Sequence, residues 1–273
     1  MSETRETIDF YKNTIQKLID RDVLSVDAST LVLAAGINDY QAIRELGFAD
    51  VTFSNVDPRL SADDFTPYKL TYYDAQQIDA RDQAFAQIII ANALHHCRSP
   101  HRALIEMYRV ANRAILCFEN RDSSVMRLAA RFGMAQEYEY EAVYGNDMKF
   151  GGVDNSEIPN YIYRWTEREL HKTVATFAPE VVPKLHYFYG LRTPAARLAR
   201  MNSPVKALVA RGAVLGMRAF TAVFPSQSNL FAFCIEKSRE TWPWIRSEGE
   251  SFHFNEDWAR RRFAGEEDPA QGG

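Results

Sequence analysis

AQIIIANALHHCRSPHRALIEMYRVANRAILCFE, residues 86–119, changes its period twice. Ala86 to Asn92 is a β-branched, apolar run centred on Ile88 to Ile90, the pattern of a buried strand. Ser99-Pro100 then sets a cap residue ahead of a proline at the first helical position, and Leu104, Ile105, Tyr108 and Val110 follow at helical spacing. Arg113 to Glu119 returns as a strand. Strand, helix and strand in this order imply a right-handed crossover and a parallel sheet.

Working outward, the same alternation continues. Thr30 to Gly36 (TLVLAAG) is a short apolar run that ends in glycine, predicting a buried strand entering a tight turn. Asn38 and Asp39 are expected to cap the next helix, which carries Tyr40, Ile43 and Leu46 and stops at Gly47. Val51–Asn55 and Lys69–Tyr73 read as the second and third strands. Upstream, Ile8, Tyr11, Ile15, Leu18 and Ile19 predict an amphipathic helix. Downstream, Thr166 to Glu169 is a capping box for a helix that stops before Pro179, and Val181–Tyr189 and Asn229–Glu236 read as the last strands. The expected architecture is α/β and Rossmann-like, a mostly parallel sheet with helices on both faces. Residues 1–24 form a leading helix, 25–237 the main domain and 238–273 an extension with a frayed tail after Phe263. Two insertions, 120–163 (irregular, rich in Tyr, Gly and Asn) and 194–223 (helical, broken near Pro204), are the expected substrate cover.

Composition excludes some functions. With 46% hydrophobic and 25% charged residues over 273 positions, the chain can bury a full core. A net charge of −4 gives no global attraction to nucleic acid, so none is expected as a partner. Cys97, Cys117 and Cys234 form no CxxC pair, and the histidines no HxxxH pair, so no metal is expected and the thiols read as reduced. The polar start MSETRETIDFYKN offers no apolar signal core, which points to the cytoplasm. Val205 to Phe224 is apolar but interrupted by Lys206, Arg211 and Arg218, charges too costly for a spanning helix.

An open sheet of this kind binds its ligand beyond the carboxyl ends of the strands, where strand order reverses. The residues there are Ala34, Ala35 and Gly36 after the first strand, and Asn55 and Asp57 after the second, near the usual place of a ribose-binding acid. Asp74 and Ala75 follow the third, and Asn92, Ala93, Leu94, His95 and His96 the fourth. Either histidine suits proton removal from an acceptor, or simply bonds its own loop. Glu119, Asn120 and Arg121 stand at the mouth after the fifth strand, Glu119 orienting an acceptor hydroxyl or forming a salt bridge. Tyr138, Tyr140 and Tyr144 alternate like a strand face in a lid, stacking on substrate or packing. Asp57 is equally a turn former and Asp74 a helix cap.

Residues 30–119 resemble the type 11 family of class I S-adenosylmethionine-dependent methyltransferases. The resemblance lies in VLAAGIND (32–39), VTFSNVDPR (51–59) and YYDAQQI (72–78). It is strongest in the pattern of Leu94-His95-His96, Pro100, Ala103-Leu104, Glu106 and Arg109-Val110. It implies S-adenosylmethionine as cofactor and S-adenosylhomocysteine as product. Ala34 to Gly36 would approach the methionine part, Asn55 or Asp57 the ribose, and Asp74 and Ala75 the adenine. Asn92 to Leu94 would wall the sulfonium. Ala34 stands where the family has an acid, Ile37 and Asn38 where it has small residues, and Asn55 where it has the ribose acid. The implied reaction is methylation of an oxygen or nitrogen on a small-molecule or sugar-containing acceptor, with His95, His96 and Glu119 as catalytic residues. Asn120, Arg121, Tyr138, Tyr140 and Tyr144 would meet the acceptor. The alternatives are a degenerate fold that binds cofactor or partner without methylating, one that catalyses another reaction, and an interaction module. Arg197, Arg200, Arg211 and Arg218 fall near one face of 194–223, with Leu198, Leu208, Leu215 and Val223 elsewhere on it. That segment is a candidate contact for an anionic substrate, a membrane surface or a second copy of the chain.

Overall fold

The computed structural model describes residues 2–133, 135–193, 204–249 and 251–264. The apolar runs form strands β1 (Thr30–Leu33), β2 (Val51–Ser54), β3 (Lys69–Thr71), β4 (Phe85–Ala91), β5 (Ala111–Glu119), β6 (Lys184–Gly190) and β7 (Leu230–Glu236). They make one seven-stranded sheet in the order β3-β2-β1-β4-β5-β7-β6. The first five pair in parallel, and β7 runs antiparallel between β5 and β6. Strand order reverses between β1 and β4, so the ligand crevice of such a sheet opens at their carboxyl ends.

Because successive strand side chains point to opposite faces, each buried run feeds two cores. Val32 and Ile89 enter one, Leu31, Leu33, Ile88 and Ile90 the other. The first core is closed by Tyr11, Ile15 and Leu18 of helix α1 (Ser2–Ile19) and by Ala42 and Ile43 of α2 (Ile37–Glu45). The second takes Ala103, Leu104 and Met107 from α3 (Pro100–Val110). After β5 come α4 (Ser124–Arg131) and α5 (Tyr140–Gly145), and then α6 (Glu167–Phe177), which adds Leu170 and Val174 to the second core. Burying one such aliphatic side chain contributes about 1.5–3 kcal/mol.

The expected strands and the Ser99 and Thr166 caps are present, with Ser99 Oγ accepting from Arg102 N–H and Thr166 Oγ1 from Glu169 N–H. The cap of α2 differs. The helix begins one residue earlier, at Ile37, with Gly36 as its N-cap, and Asp39 accepts the Gly36 N–H (2.9 Å) from the third helical position. Helix α7 (Pro204–Val223) exposes Leu208, Leu215 and Val223, and Arg218 lies 3.6 Å from Glu6. Arg197, Leu198 and Arg200 lie outside the described residues. The extension carries a hairpin, β8 (Ile245–Glu248) and β9 (Ser251–Phe254), and helix α8 (Glu256–Phe263). Trp242 and Trp244 stack at 5.0 Å, and Trp258 closes on Trp244 at 5.7 Å. Among the described residues no helix is long and apolar enough to cross a membrane.

Candidate active site

At the two strand ends that flank the reversal, non-glycine residues adopt left-handed backbone, Ala34 (φ 51°) and Asn92 (φ 50°). That conformation costs roughly 1–2 kcal/mol for a residue with a Cβ, and such strain gathers at functional turns. The tight turn expected at Gly36 is therefore made by Ala34. Gly36 itself is extended (φ −109°, ψ −177°). A Cβ there would meet only Asp39 Oδ2, at 3.8 Å, so the fold does not demand glycine at this position. The missing side chain leaves the end of β1 open to close approach by a ligand.

Asn55 Nδ2 donates to the Ala35 carbonyl (2.9 Å), and its Oδ1 accepts from Asp57 N–H (2.9 Å). Its amide thus ties together the loops after β1 and β2. The Asp57 carboxylate accepts from the Arg59 backbone and guanidinium, which hold it below the usual carboxylate range. The guanidinium Nε also lies 3.1 Å from Oδ2, so Arg59 makes four contacts to the two oxygens and a ligand would share the carboxylate with it. Asp74 Oδ1 accepts from Gln76 N–H (2.8 Å) within a turn rather than at the helix cap expected of it, and Ala75 packs against the second core.

Residues 146–154 roof these strand ends. Arg59 donates to Asn146 Oδ1 (3.0 Å) with its guanidinium 4.5 Å from the Phe150 ring, Gln76 donates to Asp154 (2.9 Å), and Arg98 pairs with Asp154 (2.6 Å). Gly152 sits where a Cβ would lie 1.9 Å from the Ile158 carbonyl oxygen, so only glycine fits the fold of this roof.

Beneath the roof, four ionisable groups meet. Glu119 Oε1 accepts the N–H groups of Ala93 (3.0 Å) and Leu94 (2.7 Å), and its Oε2 contacts His95 Nδ1 (2.6 Å). The His95 Nε2 faces Glu139 Oε2 (3.1 Å), and His96 Nε2 reaches the same oxygen (3.3 Å). Asn160 Nδ2 donates to the His95 carbonyl (3.1 Å), while its buried Oδ1 has no partner among the described residues. Burial opposes a charge on His95, but Glu119 and Glu139 outweigh it and raise its pKa to about 10. Burial and then the charge of His95 lower His96. Burial works to raise Glu139, and the histidines overcome it and hold the carboxylate below its usual range. Burial pushes the nearby Cys97 thiol up to about 12, which leaves it inert.

Several expected roles change. The Glu119 side chain is 0% exposed, so it cannot touch an acceptor and instead sets the position of the loop after β4. Arg121 forms a fork with Glu167 (2.8 and 2.7 Å), and the Asn120 carbonyl accepts from Trp165 N–H. The tyrosines are not a strand face. Tyr138 bridges to Tyr161, whereas Tyr140 and Tyr144 are four apart on α5 and line an open depression of about 410 Å³ with Val143, Met148 and Pro159. Glu139 lies 44 residues from His95 and Asn160 lies 65 away, and no local spacing marks either one.

The magnesium protoporphyrin IX methyltransferase of Synechocystis PCC 6803, solved with S-adenosylhomocysteine, superposes with a TM-score of 0.50 at 10% identity, over 86% of this chain and 84% of that one. The chain has the class I methyltransferase fold. The family described as methionine biosynthesis protein MetW matches residues 71–134, from the end of β3 past α4. An S-adenosylmethionine-dependent methyltransferase from Mesorhizobium loti is similar over 80% of this chain and 95% of that one, with a TM-score of 0.49 and 9% identity. No curated protein matches at a significant level. In the class I methyltransferase fold the crevice between β1 and β4 takes the cofactor. Here the residues leave room for one: a bare glycine and two left-handed turns.

Proposed function

We propose that the chain is an S-adenosylmethionine-dependent methyltransferase acting on an oxygen or nitrogen of a small, polar acceptor. The observation that carries this reading is the open Gly36 end of β1 beside the left-handed turn at Asn92, on the two strands flanking the reversal. Gly36 would lie beside the methionine part, Asp57 would bond the ribose and Asp74 the adenine, and Asn92 to Leu94 would wall the reacting centre. When bound, the cofactor supplies a methyl group already activated on a sulfonium. The chain's task is then to position the acceptor and exclude water. His96 and Glu139, each partly exposed, are the polar groups that face the acceptor, and His95 and Glu119 hold them in place. The residue 146–154 roof keeps the cleft dry, and Tyr140 and Tyr144 border the way in. The replacement of the family's ribose acid by Asn55, already bonded on both sides, favours a second reading in which the fold serves as an interaction module.

Calorimetric titration with S-adenosylmethionine and S-adenosylhomocysteine decides between them. Micromolar binding by the native chain, lost in Gly36→Val, is the expected result. Because a Cβ at Gly36 meets no protein atom closer than 3.8 Å, that variant should stay folded, as judged by circular dichroism. Absence of binding by the native chain would favour the module.

A further inference from the structure

We propose that His95, His96 and Glu139 form a binding site for one divalent transition-metal ion, zinc or ferrous iron in class. Their ligand atoms all lie within 4.8 Å of one another. Tetrahedral bonds of about 2.0–2.1 Å would set ligands about 3.3 Å apart. The two separations to Glu139 Oε2 are 3.1 Å from His95 Nε2 and 3.3 Å from His96 Nε2. Two imidazoles with one carboxylate select zinc or iron over magnesium or calcium, which prefer oxygen throughout.

The surroundings support an ion independently of the three ligands. A metal-bound histidine nearly always gives its second ring nitrogen to a carboxylate, a backbone carbonyl or water, which orients the ring and raises its basicity. Glu119 occupies that position on His95 Nδ1, and two backbone N–H groups fix its other oxygen. Asn160 holds the same assembly from the roof side, donating to the His95 carbonyl and to Glu139 Oε2 (3.4 Å). Its Oδ1, buried and unpartnered, is free to accept from a water on the ion.

Three protein ligands leave a coordination position open, the arrangement of catalytic rather than structural sites. His96 and Glu139 are 25% and 30% exposed, so the open position faces the acceptor side of the cleft. An acceptor bearing a hydroxyl or carboxylate oxygen is the class that would complete it. That role rests on the methyltransferase reading; the binding of the ion does not.

The test uses the full chain, without an affinity tag and stripped with chelator. Zinc titrated by calorimetry should bind one equivalent, and cobalt(II) in its place should give the visible absorption of a four-coordinate N/O site. His96→Gln and Glu139→Gln should each abolish stoichiometric binding, and Glu119→Gln should weaken it about 10- to 100-fold. Thermal melts of the stripped variants establish that they remain folded. Titrating S-adenosylmethionine into the stripped native chain reads cofactor binding apart from the ion, so a failure of the cofactor reading would be visible separately. No stoichiometric zinc or cobalt binding by the native chain, or binding that survives in both His96→Gln and Glu139→Gln, would reduce the cluster to an ion-pair network and overturn the proposal.

Discussion

Asn55 and Asp57 show how much two positions can differ in what a substitution removes. The Asn55 amide is bonded at both ends within the protein, so Asn55→Ala should lower stability by about 1–2 kcal/mol and leave cofactor affinity near its native value. Asp57 is the carboxylate that the proposed ribose contact needs, so Asp57→Ala should weaken S-adenosylmethionine binding about 10- to 100-fold, read by calorimetry. Asp39 supplies a pH signature. Burial raises its pKa to about 6 against the opposing bond from Gly36 N–H. A carboxyl raised in the folded state contributes stability that is complete below its unfolded pKa of about 4 and lost as pH rises through 6. Asp39→Asn keeps an oxygen for the Gly36 N–H but cannot ionise. Its melting temperature should therefore gain on the native protein between pH 4 and 7, by a free energy on the order of 2–3 kcal/mol. A constant gap across that window would show that Asp39 ionises freely. The sequence marked His95 and His96 because they follow a strand directly, but their partner Glu139 was not legible, since only the fold carries it across the intervening 44 residues.

Among the elements, β4, α3 and β5 were readable because each carries a signal of its own: three consecutive isoleucines, a Ser-Pro start and the apolar run Ala114 to Phe118. The roof was not. Tyr138, Tyr140 and Tyr144 look alternating, yet the spacing of four between the last two suits a helical turn equally well, and α5 forms there. The C-terminal hairpin escaped notice because its strands are only four residues long each and β9 is exposed throughout, so the alternation of Phe252 and Phe254 is too short to stand out. The roof depends on Gly152, whose Cβ would overlap the Ile158 carbonyl. Gly152→Ala should disrupt the roof and leave the sheet intact. Limited proteolysis should then cut faster between residues 145 and 158, with a loss of activity and little change in global melting temperature. Unaltered cleavage in that variant would mean that the roof tolerates the methyl group by a small backbone shift.

At the level of the whole molecule, the seven-stranded sheet is complete at Glu236, and the extension touches it through the Val182 N–H to Glu240 carbonyl bond (2.8 Å) and the Val181–Thr241 bridge. The ring contacts of Trp242, Trp244, Phe254, Trp258 and Phe263 close on one another within the extension. Ending the chain after Thr241 should therefore keep a single cooperative melt, with the midpoint lowered by only a few degrees; a collapse of the sheet would show that the aromatic cluster braces the main domain. One further feature bears on how such a protein changes over generations. Residues 120–165 leave the sheet and return to it at one point, where Trp165 N–H bonds the Asn120 carbonyl and Asp122 N–H bonds the Trp165 carbonyl. A loop clamped at its neck can be exchanged or lengthened cheaply, since doubling its length costs only about 0.6 kcal/mol in closure entropy. Recombination at this single locus would replace Glu139, Asn160 and the roof together, exchanging the roof's bonds to Arg59, Gln76 and Arg98 while the sheet stays in place. The scaffold can thus acquire a new cleft cover as an inherited cassette, without first passing through a damaged sheet.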